Sequence, residues 1–245
     1  MHPEICTIGP FTIYSYGLML ALAFLVSSWL AVKQAGKNGV APDTVFNLLF
    51  SAFITGIIGA RLFYVLGHIG YYAREPLEII MLQHGGLSWF GGLLFGSFAA
   101  IAYLKRKKLA VYRILDLIVP FLALGQSIGR IGCLLNGCCY GIESGFGIYF
   151  PAHQAILFPV QALSSLLLIL IFIVLRLLQD RPHSEGSIFY IYLLLYSLKR
   201  FFVEFLRDDT LPVMLGLGPF QIMRLVLFCF ALVKLISMRK RMSRS

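Results

Sequence analysis

The chain has 245 residues, of which 59% are hydrophobic and only 13% charged, with a mean hydropathy of +0.83. That composition excludes a soluble globular domain and specifies an all-α polytopic membrane protein. The formal charge of +10 invites a nucleic-acid reading, but most basic residues flank apolar segments on alternate sides, which is a topology signal, so no nucleic-acid partner is expected.

Seven candidate spans follow in chain order, each of a length suited to a bilayer. The first covers 14–34. No basic stretch precedes it and no small-residue cleavage site follows, so it reads as a retained helix rather than a signal peptide. The second, 45–68, carries Arg61 in the run Gly59-Ala60-Arg61-Leu62-Phe63-Tyr64. The third, 87–104, opens with His84-Gly85-Gly86-Leu87-Ser88-Trp89-Phe90-Gly91-Gly92. Paired glycines there predict a broken or re-entrant helix start lining a cavity. The fourth, 114–135, ends with Gly125, Gly129 and Gly132 at helical spacing beside Gln126 and Arg130. The glycines leave a bare face for helix packing or for lipid approach. The fifth and sixth cover 157–178 and 186–206, and the seventh 217–238. With no internal repeat and no low-complexity linker, one domain over 1–245 is expected.

Lysine and arginine set the orientation. Lys33 and Lys37 follow the first span, Lys105–Lys108 and Arg113 the third, Arg176 and Arg181 the fifth, and Lys234, Arg239, Lys240, Arg241 and Arg244 the seventh. Only Arg74 and Arg207 lie clearly outside the spans on the other side. The N-terminus is therefore expected outside and the C-terminus in the cytoplasm, with the outer ends of spans four and six facing the same side.

An arginine at the centre of a membrane helix costs roughly 2.5–3.5 kcal/mol on insertion scales. Arg130, Arg61, Arg200 and Arg207 persist in or beside apolar segments only if they snorkel or meet an anion, and the ubiquitous membrane anion is the phospholipid phosphate. Tyr196, Arg200, Glu204 and Arg207 are spaced by 4, 4 and 3 residues, which predicts one shared helical face. Glu204 then orients a guanidinium, whose planar fork suits phosphate. Arg61 reads as a third phosphate contact or as a partner of Glu204. A channel or ion-coupled transporter would carry acidic residues or polar rings in its spans, and Glu204 and Asp116 are the only span acids.

No metal and no cofactor are expected. None of the five histidines forms an i,i+4 metal pair, and the spacing of Cys6, Cys133, Cys138, Cys139 and Cys229 matches no zinc motif. Cys133 with Cys138 or Cys139 forms a bridge if the loop faces an oxidising compartment; the plainer reading is small apolar side chains in a packed turn.

These residues resemble the prolipoprotein diacylglyceryl transferase family over nearly the whole chain. The likeness rests on Ile8-Gly9-Pro10, Tyr16-Gly17-Leu18-Met19, Gly59-Ala60-Arg61-Leu62, Gly85-Gly86-Leu87-Ser88, Gly91-Gly92-Leu93, Gly129-Arg130-Ile131-Gly132, Asn136-Gly137, and the stretch from Tyr196 to Arg207. The resemblance implies transfer of the sn-1,2-diacylglyceryl group of phosphatidylglycerol to the lipobox cysteine of a prolipoprotein. It implies a multi-pass protein of the bacterial cytoplasmic membrane, in contact with the bilayer and with the signal-peptide region of its protein substrate. By resemblance, Arg130 and Arg200 hold the phosphatidylglycerol head group and Tyr196 is the family's important tyrosine. Arg61, Asn136, Glu204 and Arg207 match further polar positions.

Three positions depart from the family pattern. Phe90 stands where the family usually carries a histidine important for activity, Cys138 replaces an acidic residue after Asn136-Gly137, and Phe158-Pro159-Val160-Gln161 lacks the histidine of its usual form. Three readings follow. The first keeps the transferase, with thiol activation from the arginines' field, from Tyr196 or from a relocated base, His84. The second has a lipid-derived group moving to another acceptor, Cys138 or Cys139 serving as a carrier. The third is a phospholipid-binding or transport protein without chemistry.

Overall fold

The computed structural model describes residues 3–8, 11–81, 85–207 and 219–242. Within them the chain is helical, with seven long helices near the expected positions. They are α1 (Ser15–Lys37), α2 (Pro42–Gly67), then after the single-turn α3 (Ile69–Tyr72) α4 (Trp89–Arg106), α5 (Val111–Asn136), α6 (Val160–Gln179), α7 (Ser187–Glu204) and α8 (Pro219–Met242). Five of them, α1, α2, α5, α6 and α8, are long and apolar enough to cross a membrane by length and composition. Of the other two, α4 is 18 residues long and closes on Lys105 and Arg106, and α7 carries Lys199, Arg200 and Glu204 within 18 residues. The chain is thus a helical multi-pass membrane protein. Two small antiparallel hairpins are unforeseen in the sequence: β1 (Glu4–Ile8) with β2 (Phe11–Tyr14) before α1, and β3 (Glu143–Phe150) with β4 (Ala155–Leu157) between α5 and α6.

The chain divides into two compact units, one of Met1–Ser27 with Leu115–Ser245 and one of Ser28–Ile114. In the second, α2 packs on α4 through small residues. A Cβ added at Gly59 would lie 2.7 Å from the Gly91 carbonyl, and one at Gly91 would fall on the Gly59 carbonyl. Backbones this close replace the hydrophobic drive that lipid removes. The Gly91-Gly92 pair therefore belongs to a helix contact inside α4. Gly85 and Gly86 precede the helix in the left-handed region, with φ of 78° and 79°, where glycine alone is unstrained.

In the first unit the core is a wedge between α5, α6 and α7, built from Val119, Ala123, Ile171, Leu175, Ile188 and Tyr192. A buried serine pair stitches α5 to α6: Ser127 Oγ and Ser165 Oγ are 2.8 Å apart. Ser127 Oγ donates to the Ser165 carbonyl at 3.1 Å and Ser165 Oγ to the Ser127 carbonyl at 3.0 Å. Asp116 of α5 caps α7. Its carboxylate accepts from the Gly186 and Phe189 amides at 2.5 and 2.8 Å, satisfying orphan donors at the positive end of the helix. Asp116, one of two acids in the spans, is thus an architectural group. Of the glycines on α5, a Cβ at Gly125 would meet Ser27 Oγ at 2.7 Å and one at Gly132 would meet Met19 Cβ at 2.9 Å, while Gly129 faces open space. Two of the three serve packing against α1.

Candidate functional site

At one end of the first unit the C-terminal ends of α5 and α7 are tied together. The turn after α5 pairs with the turn after α7 through a bridge between Gly141 and Arg207. The Ile142 amide donates to the Leu206 carbonyl at 3.1 Å. The start of α6 closes the same knot: the Gly141 amide donates to the Phe158 carbonyl at 3.0 Å. Gln161, fully buried, donates to the Cys138 carbonyl at 2.7 Å. The glutamine of the Phe158–Gln161 stretch thus holds the turn that follows Asn136.

Around this knot the unit collects charge. Glu204, the last residue of α7, is buried and pairs with Arg200 one turn earlier (Nε–Oε2 3.6 Å) and with Arg224 of α8 (Nη1–Oε2 2.7 Å). Lys199 is buried and donates to Ser164 Oγ of α6 at 3.1 Å, its ammonium 5.0 Å from the centroid of the Tyr196 ring. Arg130 and Arg224 act electrostatically on both Lys199 and Arg200, and Arg207 acts on Arg200. Among the described residues, Glu204 thus pairs with two arginines, while Arg130, Arg207 and Lys199 lie within electrostatic reach of Arg200. Like charges gathered away from water are eased by an anion among them, so the arrangement suits an anionic ligand.

The expected residues fall into three groups. Arg130, Arg200 and Glu204 come together at this end of the unit; Tyr196 lies two turns earlier on α7, under Lys199 and beside Tyr192, which donates to Gln126 Oε1 at 3.0 Å. Arg207 lies past the end of α7, in the bridged turn rather than on the helical face. Asn136 is the exposed last residue of α5 and hydrogen-bonds Cys138. Arg61 lies in the second unit, buried, with its guanidinium committed to backbone. Nε donates to the Ile79 carbonyl at 2.9 Å, Nη1 to Gly85 at 2.5 Å and Gly86 at 3.0 Å, and Nη2 to Glu78 and, at 3.2 Å, to Met81. An arginine has five N–H donors, so all five are occupied; Glu204 is paired elsewhere. His84 lies outside the described residues. Phe90 sits in the first turn of α4, half-exposed, edge-on to Trp89 at 5.2 Å.

Sequence reasoning missed Arg224 and Lys199 as site residues. Both were visible as ionisable side chains inside apolar segments, the signal that picked out Arg130. Their partners are on other helices, which no local spacing shows.

The turn after α5 also gathers sulfur. The Sγ atoms of Cys133, Cys138 and Cys139 lie within 4.8 Å of one another. Hydrogen bonds from the Cys133 and Cys138 thiols, with the charges of Arg207 and Arg130, hold the Cys139 thiol below the ordinary thiol range against the opposing effect of burial.

A family model described as prolipoprotein diacylglyceryl transferase matches residues 3–238. The phosphatidylglycerol--prolipoprotein diacylglyceryl transferase 2 of Clostridium perfringens (strain 13 / Type A) is 35% identical over 204 residues, covering 80% of this chain and 80% of that protein. The phosphatidylglycerol--prolipoprotein diacylglyceryl transferase of Bacillus cytotoxicus is 33% identical over 248 residues, covering 95% and 90%. That of Clostridium tetani is 34% identical over 216 residues, covering 85% and 86%. With residues 3–238 matched by the family model and relatives about one third identical over most of its length, the chain belongs to the prolipoprotein diacylglyceryl transferase family.

Proposed function

We propose that the protein transfers the sn-1,2-diacylglyceryl group of phosphatidylglycerol to the lipobox cysteine of prolipoproteins in a bacterial cytoplasmic membrane. The observation that carries this reading is the gathering of Arg130, Arg207 and Arg224 about the Arg200–Glu204 pair. The lipid phosphate is the counter-ion such a site needs, and it is the leaving group of the reaction. The substrate thiolate attacks the glycerol carbon bonded to the phosphate oxygen. The carbon–oxygen bond breaks, a carbon–sulfur bond forms, and glycerol phosphate departs with the electron pair. Arg130 and Arg200 hold the phosphate bidentately and offset its growing charge. Arg207 and Arg224 add to the field, and Glu204 fixes the guanidinium planes. Tyr196, under the Lys199 ammonium, forms the inner wall. Asn136 stands at the rim, toward the head-group glycerol.

Arg61, in the second unit, holds the carbonyls of Glu78, Ile79, Met81, Gly85 and Gly86 with its five donors and so serves the fold before α4. The nucleophile must be a thiolate. Phe90 cannot accept its proton, so deprotonation rests on the positive field of the arginines, on Tyr196, or on His84 as a relocated base. Seven long helices are in keeping with seven spans, and the lysine and arginine pattern supports an N-terminus outside and a site in the outer half of the membrane.

The test is a transfer assay with the purified chain, phosphatidylglycerol vesicles and a lipobox peptide, read by mass spectrometry. The native chain is expected to add a diacylglyceryl mass to the peptide cysteine. Arg130→Ala is expected to lower the rate by about 100-fold or more, and Arg130→Lys not to restore it, because lysine lacks the planar fork. One observation favours a second reading, lipid binding without this transfer: Phe90 in place of the family histidine. Gain of activity only in Phe90→His would establish it.

A further inference from the structure

Cys133 lies in the last turn of α5, and Cys138 and Cys139 in the turn beyond it. Three sulfurs from seven consecutive residues converge within 4.8 Å, and all three thiols are free. Cys139 adopts a φ of 60°, a left-handed conformation that costs a non-glycine residue roughly 1–2 kcal/mol. With this twist, two consecutive cysteines present both sulfurs to one point. The turn is fixed by its own backbone, the Cys138 amide donating to the Cys133 carbonyl at 3.1 Å and the Gly137 amide to Leu134 at 3.2 Å. Gln161 holds the Cys138 carbonyl from α6 at 2.7 Å.

A disulfide uses two sulfurs and leaves the third without a purpose. A metal ion uses all three. A metal–sulfur bond of about 2.3 Å around one ion sets the sulfurs about 3.8–4.0 Å apart, inside the observed limit. The ligand set contains no carboxylate and no imidazole among the described residues, which disfavours hard cations such as Mg(II) and Ca(II) and favours thiophilic ones. Arg130 acts on Cys133 and, with Arg207, on Cys139, so the negative charge of a three-thiolate complex has cations beside it.

We propose that Cys133, Cys138 and Cys139 form a three-sulfur site for a thiophilic closed-shell cation, Zn(II) or Cu(I). Binding replaces the thiol protons, which pass to solvent, and changes no oxidation state. The site uses no arginine as a ligand, and its test reads metal content and thiol protection rather than lipid transfer.

The full chain, purified in detergent under reductant and stripped of metal, is titrated with Zn(II) in one arm and Cu(I) in another. Metal content is measured after gel filtration. One equivalent of either ion per chain is expected. Cys133→Ser and Cys139→Ser are expected to fall to background, while Cys6→Ser and Cys229→Ser keep the equivalent. In the unmodified chain, thiols open to alkylation are expected to drop from five to about two on loading, a readout that needs no variant to fold. Three results would overturn the proposal: no ion retained by the reduced chain, an equivalent that survives in Cys139→Ser, or loading that protects none of the three thiols. A chain isolated two hydrogens light by mass, and binding no ion after reduction, would assign the cluster to a disulfide instead.

Discussion

At the scale of single residues, two buried arginines solve the same problem in different ways. Arg61 satisfies its guanidinium with five carbonyl bonds, so its charge is spent on ordering the chain before α4. Lysine has its donors on one nitrogen and cannot span that ring of carbonyls. Arg61→Lys is therefore expected to lose at least two charged hydrogen bonds, on the order of 3 kcal/mol. The checking measurement is faster proteolysis or hydrogen exchange across 76–88. Arg224 instead relies on Glu204 at 2.7 Å. Removing that carboxylate in Glu204→Gln leaves buried cations facing one another, and breaking such a pair costs roughly 3–5 kcal/mol. Thermal unfolding in neutral detergent is expected to show the loss, and anionic lipid to recover part of it. The Glu204–Arg200 pairing was legible from i,i+4 spacing. The stronger Arg224 partner, on another helix, was not, because contacts between helices leave no local period.

At the scale of elements, the hydropathy runs marked each long helix to within a few residues: 114–135 was expected where α5 runs Val111–Asn136, and 186–206 where α7 runs Ser187–Glu204. The hairpins were hidden. Their strands are short, and β3 shows no strict alternation of buried and exposed residues. The Gly91-Gly92 pair was read as a break because glycine is flexible; in α4 its value is the absence of a side chain. Gly91→Ala drives a methyl into the Gly59 carbonyl and is expected to destabilise by about 1–3 kcal/mol, whereas Gly17→Ala, with nothing within 4 Å of the added atom, is expected to be neutral. Paired melting curves decide this. Asp116→Ala uncaps α7 and leaves two amides without acceptors, an expected loss of about 1–2 kcal/mol in the same assay.

At the scale of the whole molecule, the lysine and arginine pattern makes a definite claim about sidedness. The turn between α1 and α2 should face the cytoplasm and the segment after α3 the outside. In a Cys6→Ser background, Glu75→Cys is expected to react with a membrane-impermeant thiol reagent in intact cells, and Asn38→Cys only after permeabilisation. The reverse pattern would invert the topology and move the cation cluster to the inner leaflet.

The gathering of arginines about Arg200 also bears on how the enzyme lets go. A phosphodiester such as phosphatidylglycerol carries one negative charge, while the monoester released by transfer carries close to two at neutral pH, its second pKa being about 6. On the transferase reading, the cations gathered about Arg200 therefore grip the departing glycerol phosphate more tightly than the lipid that delivered it. Escape of this dianion then sets the pace of turnover, and the cycle restarts only when a fresh lipid head group or the ions of the surrounding water draw it out.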